Sequence, residues 1–321
     1  MSSVAWFRAF GKLPYHADFL QVGPSSAPVA RFDDWLTESV EWAHARTGQA
    51  WRDAFGSGGV RAFVYVAGAE GGHGSLIIGA LAPSQDQAGR QFPISIATCL
   101  DLGADFSGEP ALLPLACEDI WQDAGRYLAE LGLTNEPLSR IADVPAPPLF
   151  DFAEAQYSYS AWSEALPLSE LWALISASLS LESLRHTVRW ITETVRPHRH
   201  REPPSTRLAL RLPLGEAGGA AVCFWLDVVR RLIAWRKTVP SFFWSHEGST
   251  GQLTVHLGAP ATSSISELWL PSGSRDEFCD LTVLDPNAAA SEHVLPLPAA
   301  IEQVLARPCS VAAFLATLGA E

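Results

Sequence analysis

The sequence predicts an α/β (α+β) protein in which a mixed, largely antiparallel sheet is covered by helices on both faces, a three-layer α-β-α arrangement. Short apolar runs of strand length alternate with longer amphipathic segments along the whole chain. A glycine-rich stretch at 68–74 separates two of these runs and indicates a hairpin-like connection. The chain has 321 residues, 48% hydrophobic and 18% charged, which is enough to bury a large core without a disulfide or a metal.

Ahead of residue 143 the sequence predicts four strands and two helices. The strands are expected at 4–10, 60–66, 75–81 and 92–100. A first helix is predicted around 32–43, where apolar residues share one face, and it would place Asp33 and Asp34 near its start, which suits the helix dipole. A second helix is predicted over 120–131, with Gly132 as its C-terminal stop.

Two proline-rich segments, 143–148 and 197–205, interrupt the chain. Between and beyond them the sequence predicts helices at 168–195 and 221–236, strands at 207–212, 241–244 and 253–257, and a helical tail over 299–318 that breaks near Pro308. The predicted organisation is an α/β domain over 1–142 and a second α/β region over 143–321. This second region is either separate from the first or continuous with it in one fold.

Charge and cysteine content disfavour several classes of function. A formal net charge of −13 repels phosphate backbones and anionic lipid. No run reaches the roughly 18 apolar residues of a membrane span, and the first ten residues lack the pattern of a signal peptide, so we expect a cytoplasmic protein. The five cysteines are widely spaced without a CxxC pair, and we expect neither a metal nor a cofactor.

Two segments of the first 142 residues carry a family resemblance. The first reads FGKLP over 10–14, followed by DFL over 18–20, and the second reads PSQD over 83–86, followed by GRQFP over 89–93. Together they resemble the FGKLPxxGDF and PSxDxxGRxFP segments of the TagF (ImpM) family, although Ala17 stands where that family has glycine. Segments at 224–227, 240–244 and 258–260 are more loosely similar to the C-terminal landmarks of the family.

The resemblance implies a function without catalysis. TagF-like proteins are implied to act after translation as repressors of type VI secretion assembly or firing, with a forkhead-associated scaffold protein as the suggested partner. The alternative is a structural adaptor that localises this scaffold at the cytoplasmic side of the membrane complex. Some relatives are fused to a PP2C-type phosphatase, but nothing beyond residue 143 is similar to its metal-binding signatures. We therefore expect no enzyme activity and no catalytic residue.

The motif residues that the resemblance marks as candidates for partner binding are Lys12, Pro14, Asp18, Phe19, Asp86 and Arg90. Two interpretations stay open for them. Lys12 and Asp18 would present charges to a partner from a loop stiffened by Pro14, or Asp18 would cap a turn with Phe19 buried beneath it. Arg90 would pair with Asp86 or Asp18 and pin the two loops together. We expect the motifs to meet, which requires Asp18 and Arg90 to lie within about 15 Å of each other.

A basic loop offers a second candidate surface. Arg199 and Arg201 alternate with His198 and His200 in the segment 196–207. One interpretation is a solvated loop, and the other is a docking site for an acidic or phosphorylated partner. Metal binding at the two histidines is disfavoured by the surrounding cations.

Overall fold

The computed structural model describes residues 5–67, 75–102, 108–133, 138, 141, 145–147, 151–176, 181–202, 205–215, 217–245, 251–270, 277–282 and 296–318. The nine strands of this part of the chain are Arg8–Gly11 (β1), Leu20–Val22 (β2), Arg61–Val66 (β3), Ser75–Ala82 (β4), Ile94–Asp101 (β5), Ala209–Pro213 (β6), Ser241–Ser245 (β7), Gln252–His256 (β8) and Phe278–Asp280 (β9). The predicted glycine-rich connection at 68–74 lies outside the described residues.

Eleven helices occur in the same described ranges. They are Ala27–Thr47 (α1), Gln49–Gly56 (α2), Leu113–Ala116 (α3), Glu118–Leu131 (α4), Phe152–Ala165 (α5), Leu168–Ser176 (α6), Leu181–Val195 (α7), Gly219–Ile233 (α8), Ser264–Trp269 (α9), Ala299–Leu305 (α10) and Val311–Thr317 (α11). Short 3₁₀ turns precede α3 at Pro110–Leu112 and follow α7 at Arg196–His198.

All nine strands form one sheet in the order β2-β1-β5-β4-β3-β7-β8-β6-β9. Every neighbouring pair is antiparallel except β6 and β9, which run parallel. The sheet crosses from the first 142 residues to the later region where β3 pairs with β7, with Phe63 opposite Phe243. The two halves of the sequence therefore share one hydrogen-bonded sheet.

The first face of the sheet is covered by α3–α8, α10 and α11. Alternating residues of the strands point to this side, such as Val64, Ile78, Leu210 and Val255, and all four are buried. Helix α8 is apolar around most of its circumference because it packs between the sheet and the outer helices of this face. Burying each such aliphatic side chain contributes about 1.5–3 kcal/mol.

The second face is covered by the smaller set α1, α2 and α9. Its core is aromatic: the Phe32 and Phe63 rings stack with centroids 5.0 Å apart, and Trp51 meets Trp269 edge-on at 5.9 Å. The Trp269 Nε1 donates a hydrogen bond to the Gly59 carbonyl at 2.9 Å, which satisfies its polar atom.

A buried ion pair joins the sheet to α1. The Arg8 guanidinium of β1 donates two hydrogen bonds of 2.7 Å to the two carboxylate oxygens of Asp33. Burial raises the pKa of Asp33 despite the Arg8 hydrogen bonds and charge, which act in the opposite direction. The prediction that Asp33 stabilises the start of this helix is wrong, because the helix begins six residues earlier, at Ala27.

A polar cluster lies under α9 at the far end of the second face. Arg211 donates at 2.8 Å to Asp280 and also bonds the backbone carbonyl of Glu267. Nearby, His256 is 1% exposed and packs edge-on against Phe243, and among the described residues neither of its ring nitrogens has a hydrogen-bond partner. Burial lowers the pKa of His256 to about 3, so this ring is neutral at ordinary pH.

The predicted fold class is confirmed, and the individual elements agree with the structure to different degrees. Strands β3–β5 and the break near Pro308 lie where the sequence predicts them. The predicted 168–195 helix is described as two helices, α6 and α7. Helix α5 and the short strands β2 and β9 were not predicted, because their sequences show no clear periodicity. Gly132 follows α4 as predicted, but with a right-handed backbone.

In the described part of the chain, no helix combines the length and the apolar character needed to cross a membrane.

Candidate functional site

The two motif segments meet at one end of the sheet. Strand β1 pairs antiparallel with β5, and this pairing places Gly11 opposite Ile94. Residues 12–19, which leave β1, therefore lie beside residues 83–93, which lead into β5. The approach is close: a Cβ on Gly11 would lie 2.0 Å from the Pro93 carbonyl oxygen, and the backbone of Gly11 has φ +140°. The glycine of the first motif is therefore required by the contact with the second.

Asp86 is the centre of this junction. Its Oδ1 accepts hydrogen bonds from the backbone N–H of Ala88 at 3.0 Å and of Arg90 at 2.9 Å. Its Oδ2 lies 2.6 Å from Nε of Arg90 and 3.0 Å from Nζ of Lys12. The Asp86 carboxylate is inaccessible to solvent, and Lys12 is 7% exposed. Four donors thus satisfy one buried carboxylate and tie the two motifs together.

The surroundings of Asp86 keep it ionised. Burial by itself would raise its pKa, but the hydrogen bonds from the Arg90 backbone, from Lys12 and from the Arg90 side chain outweigh burial and hold the pKa below its usual range. A carboxylate with so low a pKa is a poor proton acceptor near neutral pH. Asp86 is therefore suited to a structural role, and we name Asp86 with its partners Lys12 and Arg90 the clamp.

Arg90 extends the clamp to the loop before β2. Its Nη2 donates to the Ala17 carbonyl at 2.9 Å, and the backbone N–H of Gln87 donates to the His16 carbonyl at 2.9 Å. The predicted meeting of the motifs and the pinning of the two loops by Arg90 are confirmed, with Asp86 as the carboxylate partner. Ala17 has no positive φ, so alanine is accommodated at the position of the family glycine without backbone strain.

The remaining motif residues divide between buried and exposed positions. Asp18 accepts a hydrogen bond from the Phe19 backbone N–H at 2.8 Å and is exposed, as is Pro14. Phe19 is 46% exposed, so the interpretation in which it is buried beneath the Asp18 turn is wrong, although its ring lies 4.7 Å from that of Phe92. The other interpretation, in which Lys12 presents its charge at the surface, is also wrong for this residue, because Asp86 and the Phe19 ring enclose its ammonium group.

A groove of about 700 Å³ opens beside the clamp, and we name it the motif groove. Its lining combines motif residues with residues of α1 and α2, namely Lys12, Phe19, Thr37, Val40, Glu41, His44, Gln49, Arg52, Asp53, Gly89, Arg90, Gln91 and Phe92. The chain turns between α1 and α2 at Gly48, whose φ is +55°, and this turn brings the second helix against the motif loops.

The lining of the motif groove contains both positively and negatively charged side chains. Arg52 and Asp53 of α2 face the same space as Glu41 of α1 and Arg90 of the second motif. Sequence reasoning missed the contribution of both helices. The available signal was Gly48 directly after an amphipathic helix with His44 near its end, a pattern typical of a helix C-terminus followed by a turn.

The candidate basic loop lies elsewhere, on the first face of the sheet. Arg201 is exposed and Arg199 half-buried, in the turn that follows α7. The backbone N–H of His200 donates to the Ile233 carbonyl at 3.0 Å, and Trp235 Nε1 donates to the Arg201 carbonyl at 3.3 Å. The segment is thus fastened to the end of α8, and Arg201 does not join the motif residues.

Comparison with known proteins agrees with the motifs. The model of the TagF N-terminal domain, type VI secretion system-associated, matches residues 9–141. The crystal structure of PA0076 from Pseudomonas aeruginosa PAO1 is similar at 18% identity and a TM-score of 0.45, covering 84% of this chain and 96% of that one. No curated protein matches the chain. Residues 9–141 therefore match the type VI secretion system-associated TagF N-terminal domain, and both motif segments lie inside the matched range.

Proposed function

We propose that this protein is a non-catalytic accessory protein of a bacterial type VI secretion system, which acts in the cytoplasm after translation and represses assembly or firing. It does so by binding a component of the system, with the forkhead-associated scaffold as the first candidate. Binding by the motif groove occupies a contact that the partner needs for assembly. The match of residues 9–141 to the TagF N-terminal domain supports the association with secretion.

The observation that carries this proposal is the half-exposed Phe19 at the rim of the motif groove, beside loops that are held by the ion pairs of Asp86 with Lys12 and Arg90. Its ring packs against Phe10 at 5.9 Å and Phe92 at 4.7 Å, yet 46% of the residue remains exposed. An aromatic side chain that is fixed before binding loses little conformational entropy when a partner covers it. The Asp86 clamp contributes the same rigidity to the loops on both sides.

The groove lining suits a protein segment with both polar and apolar side chains. Phe19 offers most of the apolar surface, since Val40 and Phe92 are each only 3% exposed, while the exposed Arg52 and Asp53 offer a charge of each sign. Aromatic residues and arginine are both enriched in protein–protein interfaces. Asp86 has all its lone pairs engaged, which favours binding over proton transfer as the role of this region.

The test is calorimetric titration of the purified chain with the purified forkhead-associated scaffold of the same secretion cluster. We expect a dissociation constant in the low micromolar range or better, roughly −8 kcal/mol. Phe19→Ala should weaken binding by about tenfold or more. Tyr157→Ala is the matched control, since Tyr157 is 77% exposed on α5, on the other face of the sheet, and should bind like the wild type.

Two results would contradict the proposal. The absence of heat with both proteins folded would remove the scaffold as the partner, and equal affinity of the Phe19 and Tyr157 variants would remove the motif groove as the surface. Overproduction in cells separates the two roles: a repressor silences secretion, whereas the alternative, an adaptor that localises the scaffold, leaves secretion unchanged or increases it.

A further inference from the structure

Three exposed cations collect at the end of α8, on the face of the sheet opposite the motif groove. They are Arg201, Arg236 and Lys237, and we name them the basic platform. Arg201 belongs to the turn after α7, whereas Arg236 and Lys237 follow α8. Within the described part of the chain, no carboxylate forms an ion pair with any of the three.

Glu202 explains why these distant residues lie together. Its Oε1 accepts hydrogen bonds from the backbone N–H groups of Arg236 at 2.9 Å, Lys237 at 2.5 Å and Thr238 at 2.7 Å. The Thr238 hydroxyl donates to the same oxygen at 3.1 Å. Glu202 therefore holds the two basic segments side by side. Its carboxylate accepts hydrogen bonds from backbone N–H groups rather than from the side chains of the neighbouring cations.

The backbone around Glu202 is fixed by further hydrogen bonds. Ala234 ends α8 in a left-handed conformation with φ 62°, and the Trp235 N–H returns to the Arg230 carbonyl at 3.0 Å. Trp235 is buried, and its indole nitrogen holds the Arg201 carbonyl at 3.3 Å. The platform therefore presents its cations from a rigid base, so little backbone entropy is lost when an anion binds.

Three other arginines at this end of the molecule are already engaged in ion pairs. Arg230 and Arg231 bond the Asp227 carboxylate at 2.8 and 2.7 Å, and Arg230 also pairs with Glu109 at 3.0 Å. Arg196 pairs with Glu193 at 2.7 Å. These three arginines stabilise the fold, whereas the cations of the basic platform remain available at the surface.

We propose that the basic platform is a docking site for a short acidic segment of a protein partner. The chain as a whole carries a net charge of −13, so a long polyanion such as nucleic acid, or an extended anionic membrane, is repelled by the rest of the surface. A short acidic segment interacts mainly with charges within about one Debye length, roughly 8 Å at physiological salt, because salt screens the more distant ones. The three cations of the platform outnumber the single Glu202 carboxylate between them, so the platform is locally positive and favours a short acidic ligand.

This inference stands apart from the proposed function, because it concerns another face of the sheet and different residues. The experiment measures fluorescence anisotropy of a labelled short peptide of aspartate and glutamate, with an asparagine and glutamine peptide as the uncharged control. The wild-type chain should bind the acidic peptide, with an affinity that falls as salt is raised, and should not bind the uncharged one.

The variant Arg201→Glu/Lys237→Glu should weaken acidic peptide binding by at least about tenfold. The double variant Arg46→Glu/Arg307→Glu changes the net charge by the same amount at two exposed positions outside the platform, and should bind within about twofold of the wild type. If the charge-reversed platform variant unfolds at a lower temperature, Arg201→Gln/Lys237→Gln replaces it, with the same loss of binding expected at native stability.

Three results would overturn the inference. They are absence of binding to the acidic peptide, equal loss of binding in the platform variant and its charge-matched control, and tighter binding of heparin or anionic vesicles than of the peptide. The last result would assign the platform to a polymer or a membrane instead.

Discussion

The ion pair between Arg8 and Asp33 provides the sharpest test of how the sheet holds α1. Arg8→Met removes a guanidinium that donates two hydrogen bonds of 2.7 Å and leaves the Asp33 carboxylate buried without its partner. Arg8 is 2% exposed and Asp33 9%, so water does not replace the lost donors. Breaking a buried pair in this way costs about 3–5 kcal/mol in the free energy of unfolding.

The same reasoning gives an opposite expectation for the double variant. Arg8→Met/Asp33→Leu removes both charges together, so no unpaired group is left and neither charge has to be desolvated. The raised pKa of Asp33 shows that burial outweighs the attraction of Arg8 for the charged form of this carboxyl. We therefore expect the double variant to be close to the wild type in stability, or more stable by about 1–4 kcal/mol.

Urea unfolding followed by the fluorescence of the twelve tryptophans measures these free energies. Arg126→Met is the matched control, since Arg126 pairs with Asp123 on the surface of α4 with 52% of its side chain exposed, and should cost no more than about 1 kcal/mol. A loss below about 1 kcal/mol for Arg8→Met, or a double variant as unstable as the single one, would refute the argument.

Two further predictions concern the sheet. Gly11→Ala places a Cβ 2.0 Å from the Pro93 carbonyl at a φ of +140°, so we expect a loss of more than about 2 kcal/mol in the same urea assay, and unchanged stability would contradict the required close approach. His256 has its pKa lowered to about 3 in the fold, so the unfolded chain binds the extra proton and stability falls as pH drops from about 6.5 toward 3, by up to about 1.4 kcal/mol per pH unit. The variant His256→Phe should lose less stability than the wild type between about pH 7 and pH 5, and an identical pH profile would exclude His256 as the source.

Local patterns in the sequence were sufficient for much of the architecture. The apolar runs at 60–66 and 75–81 correspond closely to β3 and β4, because a buried strand needs short apolar runs and the glycine-rich stretch between them favours a reversal. The spacing of the two motifs also indicated that their loops meet, since both adjoin predicted strands. Turn chemistry and side-chain periodicity act within a few residues, so they can be recognised without tertiary contacts.

Other features depended on contacts between distant residues. Lys12 looks like a surface lysine in the sequence, but packing against Phe19 and pairing with Asp86 remove it from solvent. Helix α5 has mixed alanine, serine and aromatic positions, and its burial against α3, α8 and α11 compensates for the weak pattern. The motif groove similarly arises only when α2 folds back against the second motif.

The sequence by itself determined the resemblance to the TagF N-terminal domain, the fold class and the approximate position of the clamp, because motif spacing and periodicity are local properties. Only the tertiary structure decided which charges are internal and which remain at the surface. Desolvation and ion pairing depend on neighbours 25 to 74 residues away, as in the pairs of Arg8 with Asp33 and Lys12 with Asp86. That distinction separates the clamp that holds the motif groove from the basic platform on the opposite face.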